Sequence, residues 1–258
     1  ACVSAVVTGI GSVPYDATDG SDTIRTFQVR LEDTCGRTAA YPVRLTFEDS
    51  LETPPYAIIG GVPFAILRSG ANLLGSPTQV VSVPFDVTFD PAGEVFEFQI
   101  QLAAGFVGES TTRSVELVAE YVDDMAAPVE MRFPVPISLT ARPAFALELA
   151  GGITSGMLDF GELLPGAVRS LAVGVTATGP YEIRMSSEYG ERLRRADPCG
   201  IPMGPPADNA NFVAYSVMLD GASLNESVTL SDSGQAVGVE LAMDQIPFEV
   251  SIDPLFDP

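Results

Sequence analysis

Apolar and polar residues alternate with a period of two along much of the chain. In residues 181–185 the apolar side chains Tyr181, Ile183 and Met185 alternate with Glu182 and Arg184. This spacing is typical of a strand that is buried on one face. The same alternation predicts strands at residues 2–9, 24–32, 41–47, 79–89, 95–102, 113–122, 129–140, 145–149, 171–175, 212–219 and 237–243. The pattern therefore predicts an all-β protein made of short antiparallel strands.

One stretch of this pattern occurs twice. Residues 41–48 and 181–188 share Tyr, a branched aliphatic residue, Arg, an apolar residue, a hydroxyl residue and Glu at equivalent places. An alternating strand precedes each copy, at residues 27–31 and 171–175, and a short apolar-Gly step comes earlier, at 10–13 and 160–163. The simplest interpretation is one diverged β domain used twice. The alternative is a chance match.

The predicted boundary between the two copies is Arg142-Pro143, which gives domains at residues 1–141 and 142–258. The chain has 258 residues, 46% of them hydrophobic, and its 24 Gly and 21 Pro separate short runs rich in Val, Leu, Ile, Phe and Thr. This composition is typical of β-sandwich proteins. We predict two antiparallel β-sandwich domains.

Charge and residue usage narrow the possible functions. The formal net charge of −21 opposes binding to the phosphates of nucleic acids. The chain contains no His, the usual general base and the commonest metal ligand near neutral pH, so we expect neither an enzyme nor a metal or cofactor site. A glycosidase with paired acids is the enzyme alternative, but Asp123-Asp124 follows a predicted strand and fits a turn. The Asp-rich loop at 16–22 lacks the spacing of a calcium loop and fits a solvated hairpin loop.

Two of the three cysteines are placed to form a disulfide. Cys2 begins the first predicted strand and Cys35 follows a later one, so a Cys2–Cys35 bridge would join these two strands. Two buried free thiols are the alternative, and Cys199 in a Pro/Gly loop has no obvious partner. A chain that begins Ala-Cys without Met is expected of a secreted protein whose signal peptide has been removed, although a trimmed tag would look the same.

An apolar stretch in the first domain allows two interpretations. It is interrupted by Gly60-Gly61 and by prolines, and a central strand would reject a proline. It forms either two short strands in the core or at a sheet edge, or an exposed apolar hairpin that contacts other surfaces. The candidate surface residues are Tyr56, Ile58, Ile59, Val62, Pro63 and Phe64.

Several motifs together resemble the spore coat protein U-like domain. They are Asp159-Phe160-Gly161 followed by Pro165-Gly166, the stretch 181–193, and Tyr215 to Gly221. The start of the chain, residues 1–5 with Gly11 and Cys35, is similar to the start of another such domain. In that family these domains are the pilin subunits of archaic chaperone–usher pili of Gram-negative bacteria. The resemblance covers most of 145–243 and part of 1–50, and residues 51–141 match poorly.

The resemblance implies that the two antiparallel β-sandwich domains are immunoglobulin-like, and it implies a specific kind of assembly. The second domain would be an incomplete sandwich that lacks its last strand, and a neighbouring pilin subunit would supply that strand by donor-strand complementation. A periplasmic chaperone would fill the groove before an outer-membrane usher assembles the fibre. The protein would be secreted through the periplasm and would reside in a fimbrium at the cell surface.

The position in the fibre follows from the same resemblance. Pilins of the family carry a donor segment ahead of the first Cys, whereas only Ala1 precedes Cys2 here. The chain is thus expected to accept a strand but not to donate one, as a two-domain tip adhesin does when its first domain attaches to abiotic or host surfaces in biofilm formation. The alternative is a structural two-domain pilin or coat protein along the filament shaft. Residues 245–254 are shorter than the closing hairpin of the family, which leaves open which edge of the second domain accepts the strand.

Overall fold

The computed structural model describes residues 2–49, 57–74, 84–149, 158, 164–187, 192–194, 212–223, 227–230 and 235–254. Within these ranges the chain is all-β, with nineteen strands and no helix. No helix that could cross a lipid bilayer is present in the part of the chain described. The first eleven strands are β1 (Val3–Thr8), β2 (Ser12–Tyr15), β3 (Thr23–Asp33), β4 (Tyr41–Asp49), β5 (Ile58–Ile59), β6 (Val62–Arg68), β7 (Ala71–Asn72), β8 (Phe85–Phe89), β9 (Glu94–Leu102), β10 (Thr111–Val122) and β11 (Pro128–Ala141). The others are β12 (Phe145–Leu149), β13 (Val168–Ala177), β14 (Tyr181–Arg184), β15 (Arg192–Arg194), β16 (Phe212–Leu219), β17 (Ala222–Ser223), β18 (Ser227–Leu230) and β19 (Met243–Ile252).

The chain forms two compact units. Unit 1 comprises Ala1–Pro143 together with Ala236–Leu241, and unit 2 comprises Ala144–Gln235 and Ala242–Pro258. The division near residue 143 lies two residues beyond the domain end expected from the sequence. The assignment of residues 236–241 to unit 1 was not expected.

Unit 1 is a sandwich of two sheets. The first sheet has the order β1-β3-β9-β6-β5, with β7 also paired to β6, and the second has the order β2-β11-β10-β4-β8. All pairs are antiparallel except β2 with β11, which is parallel. The alternating apolar side chains of both sheets meet in one core. Among its fully buried members, the Phe47 ring lies 6.3 Å from Phe27 and 5.0 Å from Phe98, both edge-on.

The first two strands of unit 1 belong to different sheets. β1 pairs with β3 in one sheet and β2 pairs with β11 in the other. Between them Gly9 and Gly11 have φ angles of +88° and +52°, which favour glycine over residues with a Cβ. The two glycines therefore allow the chain to change sheets within three residues, and β2 closes the second sheet.

A strand was predicted at residues 237–243, and the structure corrects this for the segment that belongs to unit 1. Only Glu240 makes a ladder contact there, with Phe106, and β19 begins at Met243. Val107 donates its N–H to Val239 O at 2.9 Å and accepts from Gly238 N at 2.8 Å. The segment is thus a turn, with one isolated bridge at Glu240, that is bonded to the β9–β10 connection of unit 1.

Unit 2 has one large sheet and one two-stranded ribbon. The sheet has the order β12-β13-β19-β16-β15, with β17 also paired to β16, and the ribbon pairs β14 with β18. Val173, Val175 and Ile246 of the sheet form a small core, and Ile183 and Met185 of the β14 segment pack against it. Residues 245–254, compared above with a closing hairpin, instead lie mostly in β19 between β13 and β16.

Candidate functional site

The two units use the same strand pairing. Strand by strand, β12, β13, β14, β16, β17, β18 and β19 take the places of β1, β3, β4, β6, β7, β8 and β9. The registers agree as well: Arg25 lies opposite Ile100 in unit 1, and Arg169 lies opposite Val250 in unit 2. Further equivalent pairs are Phe64↔Leu102 with Tyr215↔Ile252, Leu67↔Asn72 with Met218↔Ser223, and Tyr41↔Phe89 with Tyr181↔Leu230.

This agreement extends to the two stretches matched in the sequence. Residues 27–31 and 171–175 occupy equivalent places in β3 and β13, and 41–44 and 181–184 form equivalent parts of β4 and β14. The apolar-Gly step at 160–163 lies outside the described residues. The pairing of two whole sheets supports one domain used twice, and it allows position-by-position comparison.

Unit 1 contains four strands outside the shared set, β2, β5, β10 and β11, and two of them extend the second sheet directly beyond β4. β10 pairs with the edge of β4 that is opposite β8, in an antiparallel register from Val115↔Asp49 to Tyr121↔Val43. β11 pairs with β10 along its whole length. In the described residues of unit 2, β14 pairs only with β18. The second edge of β14 is therefore the candidate interaction site.

Burial differs accordingly at equivalent positions. Leu45 is fully buried in unit 1, whereas its counterpart Met185 is half-buried. Val3 is 2% exposed, whereas its counterpart in β12, Phe145, is 53% exposed. Leu147, which follows on the same face of β12, is 37% exposed. In unit 2, the counterparts of side chains that face the core in unit 1 are exposed or half-buried. They line an apolar opening between β12 and β14.

A tyrosine marks one end of this opening. The Tyr181 ring packs edge-on against Phe145 at 5.9 Å, and its hydroxyl donates to Asp244 Oδ2 at 2.9 Å. Burial, followed by this hydrogen bond to a carboxylate, raises the pKa of Tyr181 to about 12. The equivalent Tyr41 also has a pKa raised to about 12, by burial and then by its hydrogen bond to Asp33. The two equivalent tyrosines are thus each stabilised in the protonated form by a carboxylate. This carboxylate belongs to Asp33 of β3 in unit 1 and to Asp244 of β19 in unit 2.

The candidate surface hairpin around Gly60-Gly61 is not on the surface. Ile59, Val62 and Phe64 are 1%, 0% and 3% exposed, so they belong to the core of unit 1. This corrects their assignment to a surface that contacts other molecules and agrees with the core alternative. Ile58 and Pro63 are half-buried, and Tyr56 lies outside the described residues.

Distant groups hold this hairpin inside unit 1. Asp49 Oδ2 accepts the N–H of Ala57 at 2.8 Å, and Arg113 is bonded to both the Asp49 carboxylate and Ile58 O. Gly60 O accepts the N–H of Glu109 at 2.9 Å, and a Cβ on Gly60 would lie 2.2 Å from Glu109 O. This close approach requires a glycine at position 60. The largely buried ion pair of Asp49 with Arg113 holds the backbone of Ala57 and Ile58 in place.

The Cys2–Cys35 disulfide is present in unit 1. Thr34 donates its N–H to Cys2 O at 2.9 Å, and Cys2 donates its own N–H to the Tyr121 hydroxyl at 2.5 Å. The bridge therefore joins the start of β1 to the end of β3 beside β10, as the sequence predicted. Cys199 lies outside the described residues.

Arg132 of unit 1 forms the centre of a cluster of exposed ion pairs. Arg132 contacts Glu48 and Glu116 at 2.8 Å and Glu130 at 2.6 Å on the outer face of the second sheet. Arg132 donates hydrogen bonds to Glu116, Glu48 and Glu130, and these bonds raise the pKa of Arg132. A shallow groove of about 520 Å³ crosses this face and is lined by polar and apolar residues of β4, β8, β10 and β11. These ion pairs fit a solvated face better than a catalytic arrangement.

The Asp-rich loop of unit 1 is held by its own side chains. Asp16 accepts both the backbone N–H and the hydroxyl of Thr18, which lower the pKa of Asp16. Asp22 accepts the N–H of Ala104 at 2.9 Å. Within the described residues, no group of three His, Cys, Asp or Glu side chains could hold a metal ion.

The β10–β11 hairpin presents an exposed apolar tip. Met125 is 87% exposed. Asp123 Oδ1 accepts the backbone N–H groups of Met125 at 2.9 Å and Ala127 at 2.8 Å, and Ala126 has a φ of +61°. The Asp124 carboxylate lies 3.1 Å from the guanidinium of Arg37. These contacts fix the shape of a loop whose outermost side chain is apolar, a feature that the sequence interpretation of a solvated turn did not include.

Comparisons with known proteins do not identify a family for this chain. No model of a known protein family matches the chain, and no curated protein matches it. A solved structure described as a chaperone–tip adhesin complex, vital for synergistic activation of CFA/I fimbriae biogenesis, aligns over 95% of this chain and 91% of that chain. The sequence identity is 11% and the TM-score is 0.31, so the alignment by itself carries no functional argument.

Proposed function

We propose that the protein is a subunit of a chaperone–usher fibre whose unit 2 accepts a strand from a neighbouring subunit. The observation that carries this proposal is the difference between two domains with the same registers. Unit 1 is closed by β10 and β11, whereas in the described residues β14 forms a ladder only with β18. An unpaired edge beside an apolar opening is the feature that strand addition uses, because backbone groups supply affinity and apolar pockets supply specificity. The resemblance to spore coat protein U-like domains points to the same mode of assembly.

We further propose that a periplasmic chaperone covers this opening before an outer-membrane usher delivers the subunit to the fibre at the cell surface. Exposed side chains such as Phe145 and Leu147 next to an open strand edge favour non-specific association. The test is expression of the full chain in a bacterial periplasm with and without its cognate chaperone. The proposal predicts a soluble 1:1 complex with the chaperone and loss to aggregation or degradation without it. A monomeric protein with an equal yield in both cases would contradict the proposal.

The proposed position is the fibre tip, with unit 1 as the head that attaches to abiotic or host surfaces. Unit 1 supports this role because its sandwich is closed and needs no strand from outside. The exposed tip at Met125 is the proposed contact, in place of the buried hairpin around Gly60-Gly61. Burial of a large apolar side chain contributes about 1.5–3 kcal/mol, and many tips per cell would add by avidity. This role is one of binding and requires no catalytic group.

A position along the shaft is the second candidate, as a structural pilin or coat protein. Electron microscopy of fibres with a gold label on this chain separates the two. Label at fibre ends supports the tip, and label repeated along the shaft refutes it.

A further inference from the structure

The connection between β18 and β19 leaves unit 2 and returns to it. Ala144–Gln235 belong to unit 2, Ala236–Leu241 to unit 1, and Ala242–Pro258 to unit 2 again. The chain therefore passes between the units three times, first at residue 143 and then on either side of residues 236–241. We call this six-residue segment the clasp.

Backbone hydrogen bonds attach the clasp to the connection between β9 and β10. Gly238 donates its N–H to Val107 O at 2.8 Å, and Val107 donates its own N–H to Val239 O at 2.9 Å. Leu241 donates its N–H to Gly105 O at 2.6 Å, and its side chain packs against the core of unit 1. These bonds join main-chain atoms on both sides, so they fix the backbone path of the clasp.

The part of unit 1 that receives the clasp is itself held in place. The hydroxyl of Tyr15, which is 2% exposed, accepts the N–H of Phe106 at 3.0 Å, and Phe106 forms an isolated bridge with Glu240. On the other side, a Cβ on Gly61 would lie 2.5 Å from Gly238 N. The φ angles of these two glycines are +82° and +87°. The clasp comes this close to unit 1 because both positions are glycine.

The two ends of the clasp are joined within unit 2. Gln235 Nε2 donates to Ala242 O at 2.7 Å, and Ala242 donates its N–H to Gln235 Oε1 at 2.8 Å. One side chain thus pairs both backbone groups of the residue that follows the clasp. β19 begins at Met243, directly after this pair, and lies between β13 and β16. The clasp is therefore connected to a central strand of unit 2 with almost no chain between them.

We propose that the clasp is a noncovalent cross-link by which unit 1 stabilises unit 2. When unit 2 unfolds while unit 1 stays folded, its chain remains fixed at residue 143 and at the clasp. The unfolded segment is then a closed loop of about 90 residues instead of a chain attached at one point. A closed loop has fewer conformations, so the clasp raises the free energy of the unfolded state of unit 2, as a disulfide does.

The size of the effect is limited by the bonds that keep the clasp closed. The three hydrogen bonds to residues 105 and 107 have ordinary lengths for backbone groups. Bonds of this kind allow a change of about ten- to hundredfold in the unfolding equilibrium of unit 2. Unit 2 benefits because its core is small. Its buried cluster among the described residues consists of Val173, Val175, Ala177, Leu219 and Ile246.

The test opens the clasp in the full chain and measures amide hydrogen exchange. Gly238→Pro removes the N–H that bonds Val107 O and imposes a φ of about −65° where the structure has +87°. Exchange of the Val107 amide should become at least tenfold faster, which shows that the clasp is open. Exchange in β13 should also become at least tenfold faster, and exchange in β3 should stay unchanged. Val239→Ser is the control, because that side chain is 43% exposed and its backbone bonds remain.

A covalent clasp separates cross-linking from local damage to β19. The bonds of residues 105 and 107 flank the bridge of Phe106 with Glu240, which makes this a non-hydrogen-bonded antiparallel pair. The Cα atoms of such pairs are about 4.5 Å apart, a distance that a disulfide can span. Phe106→Cys with Glu240→Cys, added to Gly238→Pro in a Cys199→Ser background, should slow exchange in β13 at least tenfold. The reference is the same protein with Phe106→Ser and Glu240→Ser.

Each outcome decides for or against the clasp. If Val107 exchanges faster in Gly238→Pro while β13 does not, the clasp does not stabilise unit 2 and the inference is overturned. If the new disulfide forms without slowing exchange in β13 relative to the Ser pair, the effect of the proline is local and the inference is likewise overturned. Leu241→Pro, which removes the bond to Gly105 O, is judged by the same criteria. If neither proline changes the exchange of Val107, these bonds do not hold the clasp and the inference fails.

Discussion

Unit 1 and unit 2 share strand order and register, yet only one of them has a closed core among the described residues. Leu45 and Met185 occupy equivalent places and are similarly apolar, but the first is fully buried and the second is half-buried. The difference comes from the strands placed beside them. Burial in a sandwich is thus decided by the completeness of the opposite sheet and not by the hydrophobic pattern of a single strand.

The comparison also shows what an added strand does to a sheet edge. In unit 1, β10 pairs with the edge of β4 that lies opposite β8, so the backbone groups of that edge are bonded within the unit. A strand edge without such a partner is a site at which strands of other chains can add.

The largest expected effect is on a matched pair of core positions. Leu45→Ala should lower the free energy of unfolding of unit 1 by about 2–5 kcal/mol, because it leaves a cavity in a closed core. Met185→Ala in unit 2 should cost clearly less, because that side chain is only half-buried. Denaturant titration, followed by hydrogen exchange in β3 for unit 1 and β13 for unit 2, measures both. Equal losses would show that unit 2 is closed in solution.

The disulfide should stabilise unit 1 alone. Cys2 and Cys35 are separated by 33 residues. The loop-entropy model gives about 3–4 kcal/mol for a closed loop of that size. Replacing both residues with Ser should destabilise unit 1 by about this amount and should leave exchange in β13 of unit 2 unchanged. A loss of the same size in unit 2 would contradict the assignment of the bridge to one unit.

The exposed tip of unit 1 should affect attachment without affecting stability. Met125→Ser should reduce binding of assembled fibres to apolar surfaces and should change the free energy of unfolding by less than about 0.5 kcal/mol, since the side chain is 87% exposed. Ile59→Ser is the matched control from the earlier surface hypothesis. Because Ile59 is buried, its replacement should destabilise unit 1. If fibres with Met125→Ser attach to apolar surfaces as well as fibres of the unchanged protein do, this tip is not the contact.

The alternation of residues was sufficient to predict the class of fold and much of the repeat. Residues 27–31 and 41–48 were matched to 171–175 and 181–188 from side-chain type alone, and the strand registers place the described parts of these stretches at equivalent positions. Period-two patterns give such information because they record which face of each strand is buried. The disulfide was also predictable, since both cysteines flank predicted strands.

The hairpin around Gly60-Gly61 could not be placed from the sequence. A core hairpin and an exposed apolar hairpin have the same residue pattern. Its position is fixed by Asp49, which is eight residues from Ala57, and by Glu109 and Arg113, which lie far away in the chain and meet the hairpin only after folding. For the same reason nothing in the sequence indicates that residues 236–241 belong to unit 1. Local patterns define strand faces, whereas these placements depend on long-range backbone contacts.

The smallest expected effect concerns the two equivalent tyrosines at high pH. Tyr41 and Tyr181 each have a pKa raised to about 12, first by burial and then by a hydrogen bond to Asp33 or Asp244. A tyrosine whose pKa is higher in the folded state stabilises the fold while it is protonated. That contribution is present below the unfolded pKa of about 10 and is lost as the pH rises from about 10 to about 12.

Substitution of each carboxylate tests whether the two sites differ. Asp244→Asn should lower the pKa of Tyr181 with little change in stability at neutral pH, and ultraviolet absorbance of tyrosinate in a Tyr41→Phe background measures that shift. Asp33→Asn should lower the pKa of Tyr41 and should also weaken its loop, because Asp33 Oδ2 accepts the N–H groups of Cys35 at 3.0 Å and Arg37 at 2.9 Å. An unchanged titration of Tyr181 in the Asp244→Asn variant would contradict the hydrogen bond between the Tyr181 hydroxyl and Asp244.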